Sequence, residues 1–299
     1  MLDHTKTAAQ KRETLKKQLK SGKLLAFPGA FSPLVAREIA RVGFDGVYIS
    51  GAALAADLGL PDIGLTTLSE ITTRGGQIAN ASDLPAIIDA DTGFGEALNA
   101  ARTIWQLEQA GLAGCHMEDQ ENPKRCGHLD NKKLVPTAVM VQRLQAAVKA
   151  RHDENFVLIA RTDANGVEGL DAAINRAKAY VDAGADMIFP EALSNEAEFA
   201  AFRAAVSVPL LANMTEFGKS SLLDRLALEN LGYNMVIYPV TTLRLAMYAV
   251  GEGLRTIKNE GTQESLLGQM QHRQDLYKLL NYEGYNALDA DIYNFKLKL

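Results

Sequence analysis

The chain has 299 residues, 47% hydrophobic and 22% charged, which suits a full-sized globular core and excludes a disordered or collagen-like chain. Lys+Arg 31 against Asp+Glu 36 gives a net charge of −5, which argues against a nucleic-acid partner. Two cysteines cannot frame a disulfide scaffold, no apolar run reaches the roughly 18 residues of a membrane span, and the opening stretch lacks the apolar core of a signal peptide. The expectation is a cytoplasmic protein with no membrane partner.

The first element, MLDHTKTAAQKRETLKKQLK, is basic and reads as a solvated helix over about 5–20. Short apolar runs then alternate with stretches of helical period. The runs begin at Leu24, Gly46, Ala86, Gly114, Phe156, Met187, Pro209 and Met235. Between them, Glu96–Ala110, Thr137–Ala150 and Leu170–Ala183 keep apolar residues on one helical face. Val42-Gly43, Ala110-Gly111 and Ala183-Gly184 supply the glycines that end helices. Strand and helix repeated eight times predict an α/β protein, a (β/α)8 TIM-type barrel, as a single domain over 1–299. After the eighth strand, Thr241–Glu260 and Gln263–Asn281 read as long helices. A barrel needs one helix there, so extra C-terminal helices over about 262–292 are expected to cover a wall, exchange between subunits or form a lid.

In such a barrel, polar residues at the carboxyl ends of strands face one mouth. Here they are Ser50, Gly51, Asp89, Asp91, Glu118, Asp119, Arg161, Asp163, Glu191, Asn213 and Tyr238. Asp89 and Asp91 are two apart on a predicted strand, so alternation places both on one face beside Glu118. Three converging carboxylates repel unless a cation or protons intervene, and oxygen-only ligands suit Mg²⁺ or Mn²⁺. The alternative is that one or two of these acids cap helices or pair with arginines. The long polar loop leaving the fourth strand, EDQENPKRCGHLDNKKLVP, has the length of a functional lid. Within it, Lys124, Arg125 and His128 flank Cys126, a setting expected to stabilise the thiolate and make the thiol an acid or base near neutral pH. Cys115, alternating within a strand, reads as buried and inert. Asp91-Thr92-Gly93 lacks the second triplet of an aspartic protease, and Gly218-Lys219-Ser220 lacks the earlier glycine of a phosphate loop.

Lys124-Arg125-Cys126-Gly127-His128 resembles the signature of the isocitrate lyase / phosphoenolpyruvate mutase superfamily, most closely its short bacterial-type 2-methylisocitrate lyases. The likeness extends over Tyr48–Gly64, Asp89–Thr103, Ile188–Ala192, Ala212–Gly218 and Leu280–Tyr285. It implies a magnesium-dependent carbon–carbon lyase of the methylcitrate cycle in propionate catabolism, cleaving 2-methylisocitrate to pyruvate and succinate. Related substrates (isocitrate or 2,3-dimethylmalate) and a 2-oxo acid decarboxylase or hydrolase on the same scaffold are the alternatives. Carried over by residue, the resemblance implies that Asp89 and Asp91 hold Mg²⁺, which Mn²⁺ can replace, with Asp62 and Glu118 nearby through water. Ser50, Gly51, Ala52, Cys126, Gly127, Arg161, Glu191, Asn213, Thr215, Arg244 and Arg273 would contact a small carboxylate substrate. Cys126 would be the proton donor with His128 beside it, and Tyr48 the candidate base. The assembly implied is a homotetramer of helix-swapped dimers. The family often has a run of glycines after the serine, and this chain has Ala52-Ala53 instead.

Overall fold

Each apolar run forms a parallel strand, and each intervening segment returns the chain by a helix. In a computed structural model that describes residues 5–129 and 131–294, the order is α1 (Ala8–Leu19), β1 (Leu25–Pro28), α2 (Pro33–Val42), β2 (Val47–Ile49), α3 (Gly51–Asp57), α4 (Leu68–Ala79) and β3 (Ala86–Asp89). Then come α5 (Ala97–Gln109), β4 (Gly114–Glu118), α6 (Thr137–Ala150), β5 (Val157–Thr162), α7 (Leu170–Asp182), β6 (Met187–Pro190), α8 (Glu196–Ala205), β7 (Leu211–Asn213), α9 (Arg225–Asn230) and β8 (Met235–Tyr238). The last helices are α10 (Thr241–Glu260), α11 (Arg273–Leu279) and α12 (Tyr282–Tyr293). Regular ladders run β2-β3-β4-β5-β6 and β1-β8-β7. Single parallel bridges, Gly29 to Tyr48 and Ile188 to Leu210, link the two sheets at both seams. The strands therefore follow one another in the (β/α)8 order of a TIM-type barrel.

Alternation along the strands divides the core in two. Leu25, Phe27, Tyr48, Ile87, Val157, Ile159, Met187, Phe189, Leu211 and Ile237 pack together inside the strands. Ala26, Val47, Ile49, Ile88, Cys115, Leu158 and Ile188 face outward against the helices. Lys6–Leu243 form one compact unit, and Arg244 onward, with Thr5, forms a second.

Two readings of the sequence need correction. Helix α1 is not solvated. Its Leu15 and Leu19 belong to the inner core, its buried Lys11 donates to the carbonyls of Ala79 (2.9 Å) and Ser82 (2.6 Å), and Arg12 donates to Leu112 O at 2.9 Å. The lysine and arginine stems cross apolar surface while their heads satisfy carbonyls at the end of α4 and in the loops that lead into β3 and β4, so a basic composition concealed a buried face. Gln263–Asn281 is not one helix either. A 3-10 segment at Glu264–Gln269 precedes α11, and Asn281 adopts a left-handed conformation (φ 53°) that starts α12. In the second unit, none of the described residues of α10, α11 or α12 is buried. No helix of the described residues is long and apolar enough to cross a membrane.

Candidate active site

The strand ends bring two groups of charged side chains to one mouth. The first centres on Lys124. Its buried ammonium lies 2.7 Å from Asp91 Oδ1 and also contacts Asp62 Oδ1. Asp89 accepts the Asp91 N–H at 2.9 Å through Oδ1. The two aspartates meet by a route that alternation does not describe: β3 ends at Asp89, and Asp91 lies beyond it in a left-handed turn (φ 45°). Gly51, opening α3, packs under both, since a Cβ there would lie 3.0 Å from Asp89 Oδ2 and 3.3 Å from Asp91 Oδ1. Ser50 caps that helix by accepting the Ala53 N–H at 3.4 Å, and Ala52 follows in its first turn.

Neutralisation here is incomplete. Burial pushes the Asp91 carboxyl up to about 6 against the pull of Lys124. Burial likewise holds Glu118 well above the usual carboxylate range despite Arg161, and its Oε1 is buried without a hydrogen-bond partner. Asp89 stays below that range because His116, Lys124 and Arg161 outweigh its desolvation. These hard oxygen donors fit a divalent cation such as Mg²⁺ chemically, and the orphaned Glu118 oxygen is what such a charge would satisfy. Among the described residues no three His, Cys, Asp or Glu side chains gather closely enough to hold an ion, because the carboxylates are arranged around Lys124.

The second group centres on Arg161 at the end of β5. Its Nε lies 2.9 Å from Asp163 Oδ2 and 3.2 Å from Glu118 Oε2, and its Nη1 3.1 Å from Glu191 Oε2. Glu191 is held below its ordinary range, since Arg161 and His128 outweigh its burial. His128 Nε2 is 3.1 Å from Glu191 Oε1, and Asn213 Nδ2 is 3.3 Å from the same oxygen. Thr215 is buried just beyond β7. Gly127 seats directly on this group, because a Cβ would lie 2.4 Å from both Arg161 Nη2 and Glu191 Cγ. That close approach requires glycine.

Cys126 is therefore carried to the mouth between the two groups. Its surroundings differ from the reading of a stabilised thiolate. Lys124 turns away to the carboxylates, Arg125 is exposed, and burial raises the thiol's pKa more than the His128 N–H and Arg161 lower it. The thiol is held protonated. Cys115 is fully buried, with its pKa also raised by desolvation.

Tyr48 is buried on β2 with its hydroxyl 2.8 Å from His116 Nε2. His116 Nδ1 faces Asp89 Oδ1 at 3.6 Å, which favours the tautomer with the proton on Nδ1 and leaves Nε2 to accept from Tyr48. Asp119, expected at the mouth, points outward. It accepts from Thr162 Oγ1 and the Tyr180 hydroxyl at 2.8 Å and from the Asp163 N–H at 2.9 Å. Tyr238 ends β8, half-buried. Arg244 and Arg273 lie in the second unit, on α10 and at the start of α11. Sequence reasoning missed Lys124 as the ammonium among the acids, because nothing local distinguishes it from Arg125.

A family model described as phosphoenolpyruvate phosphomutase matches residues 15–258. A Corynebacterium glutamicum protein named "Probable 2-methylisocitrate lyase 1" is 61% identical over 96% of this chain and 94% of its own length. The 2-methylisocitrate lyase of Bacillus subtilis is 46% identical over 93% of this chain and 91% of its own. Among solved structures, a 2,3-dimethylmalate lyase of the PEP mutase/isocitrate lyase superfamily matches with a TM-score of 0.90 and 32% identity, covering 99% of this chain and all of that one. A phosphonopyruvate hydrolase complexed with oxalate and Mg²⁺ matches at 0.86 with 31% identity, covering 94% and 98%.

Proposed function

We propose, from the premise that this chain belongs to the phosphoenolpyruvate phosphomutase family and is a lyase, that it cleaves 2-methylisocitrate into pyruvate and succinate. The observation that carries this reading is the seating of Gly127 on Arg161 and Glu191, which brings a protonated Cys126 thiol to a mouth lined by cations and carboxylates. Cleavage removes the proton of a tertiary hydroxyl, breaks the adjacent carbon–carbon bond and leaves a carbanion that must be protonated. The Arg161 guanidinium offers planar donors to a substrate carboxylate, with Arg244 and Arg273 as further partners from the family resemblance. Asn213, Thr215, Glu191 and the Ser50–Ala52 segment complete the binding surface. Tyr48 Oη takes the hydroxyl proton while passing its own to His116 Nε2, with Asp89 facing the imidazolium that forms. Passing the proton on avoids a free Tyr48 phenolate, which burial makes costly. The facing Asp89 carboxylate offsets part of the cost that the same burial puts on the His116 imidazolium, which therefore forms only in passing. The Cys126 thiol gives its proton to the departing succinate carbanion, and His128 keeps the donor segment in place.

Asp89 and Asp91, with Asp62 and Glu118 around them, would hold a divalent cation, Mg²⁺ with Mn²⁺ as substitute. When bound, it would lower the pKa of the substrate hydroxyl and polarise the nascent carbonyl. Parallel assays with 2-methylisocitrate, isocitrate, 2,3-dimethylmalate and oxaloacetate test the assignment. Pyruvate and succinate should form from the first at the highest kcat/KM, and faster turnover of another substrate overturns it.

We also read the protein as a cytoplasmic homotetramer of dimers that exchange their C-terminal helices. Leu245, Met247, Tyr248, Leu254, Ile292 and Tyr293 are exposed apolar side chains on α10 and α12, the kind of surface that marks association. Light scattering at micromolar concentration should give four times the chain mass, and a monomer refutes the reading.

A further inference from the structure

The thiol of Cys126 is placed by contacts to its neighbours in the chain, and one of the groups making them has no part in the chemistry above. Ahead of Cys126, Gln120 grips Arg125 twice: Oε1 accepts the Arg125 N–H at 2.9 Å and Nε2 donates to Arg125 O at 2.8 Å. Behind it, the buried Lys132 Nζ donates to Gly127 O and lies 2.9 Å from Asp163 Oδ1. Asp163 is itself fixed to the rim, since its N–H donates to Asp119 and its Oδ2 accepts from Arg161 Nε. On the far side, His128 Nδ1 accepts the Lys219 N–H at 3.0 Å, and a Cβ on Gly218 would lie 2.7 Å from that nitrogen.

We infer that Lys132 is a positioning residue for the proton donor, its ammonium tying the carbonyl next to Cys126 to Asp163 on the barrel rim. The chemistry requires a cation with reach. Both partners are acceptors, one of them a buried carboxylate, and a neutral side chain could not match that charge. Asn131, in a left-handed conformation (φ 64°), helps turn the chain so that Lys132 points back beneath the loop. The Gly218-Lys219 backbone is the opposing jaw. Its glycine opens the Gly218-Lys219-Ser220 run, which lacks the earlier glycine of a phosphate loop, and here its open α-carbon makes room for an imidazole.

This inference rests on the proposed role of Cys126, so its test includes a measurement independent of substrate. Lys132→Met should free the Cys126 segment, and a misplacement of about an ångström should lower kcat by about 10²-fold with KM little changed. In the substrate-free enzyme, iodoacetamide should modify Cys126 at least about 10-fold faster than in wild type, because the segment opens more often. Lys132→Arg, which keeps charge and donors, should restore most of both. If Lys132→Met does not fold, Gly218→Ala decides from the other jaw. That site lies in a surface loop with ordinary backbone angles, and the added methyl should displace His128 and change both rates in the same direction. Alkylation of Cys126 unchanged in the folded variants, or faster alkylation with wild-type kcat, overturns the inference. A wild type that prefers another substrate would overturn the proposed function and leave the alkylation contrast standing.

Discussion

The two halves of the mouth carry similar residues and solve the problem of buried charge differently. Around Arg161, the carboxylates of Asp163 and Glu191 are met by guanidinium, imidazole and amide donors, and Asp163 and Glu191 are held ionised below their ordinary ranges. Around Lys124, one ammonium serves Asp62 and Asp91, Glu118 keeps an oxygen with no donor, and Asp91 is raised to about 6. On the Arg161 side the carboxylates are paired and, among the described residues, only the neutral Asn213 Oδ1 lacks a donor. On the Lys124 side it is carboxylate oxygens that lack one, and there further positive charge has something to gain. The thiol, held protonated, stands between a half whose carboxylates are paired and a half whose acids outnumber their cation.

The strongest way to break this contrast is to remove the positive charge proposed for the unsaturated half. Chelation with EDTA should take turnover to background, with recovery on adding Mg²⁺ or Mn²⁺, and full activity in metal-free enzyme sinks the metal reading. Asp91→Ala should be equally inactive yet melt no lower than wild type, since burial disfavours that carboxylate in the fold. A Tm several degrees lower would show that Asp91 is structural.

Next in size is the thiol. Cys126→Ser should lose about 10²–10⁴-fold in turnover, roughly 3–5 kcal/mol of transition-state stabilisation, while substrate affinity holds. A serine variant retaining more than about a tenth of wild-type kcat removes Cys126 from the proton-donor role.

The smallest effect sharpens the boundary of the unsaturated half. Burial lowers the His116 pKa from 6.5 to about 4, so the unfolded chain binds a proton that the folded one refuses. Its contribution is present above pH 6.5 and is lost as pH falls from there toward 4, by about 3 kcal/mol in all. Asp91, raised to about 6, acts with the opposite sign over much of that window, so the readout is a difference. In chemical denaturation, wild type should lose more stability between pH 7 and pH 4 than His116→Gln. Equal losses would mean that His116 takes up its proton in the folded state.

All eight strands were legible, because a strand buried on both faces must be an apolar run whatever it packs against. The ends of those runs also marked most of the mouth, since parallel strands alternating with helices present their carboxyl ends together. Reading failed where side chains cross from one element to another. Lys11 and Arg12 on α1 look solvated until the carbonyls of Ala79, Ser82 and Leu112 are seen beneath them. Asp91 seemed placed by alternation, yet a left-handed turn past the end of β3 places it. Asp119, adjacent in sequence to Glu118, faces the opposite way toward Tyr180 and Thr162.

By itself, then, the sequence determined the order of strands and helices, the run of carboxylates at the strand ends and the loop that bears Cys126. These follow from hydrophobic period and residue type, which act over a few residues. Only the tertiary structure decided which cation answers which acid. Lys124 lies among Asp62 and Asp91, Lys132 lies between Gly127 and Asp163, and the Cys126 thiol is desolvated and protonated where its neighbours in sequence suggested a thiolate. Charge pairing and desolvation depend on distance and burial in space, and residues far apart in the chain set both.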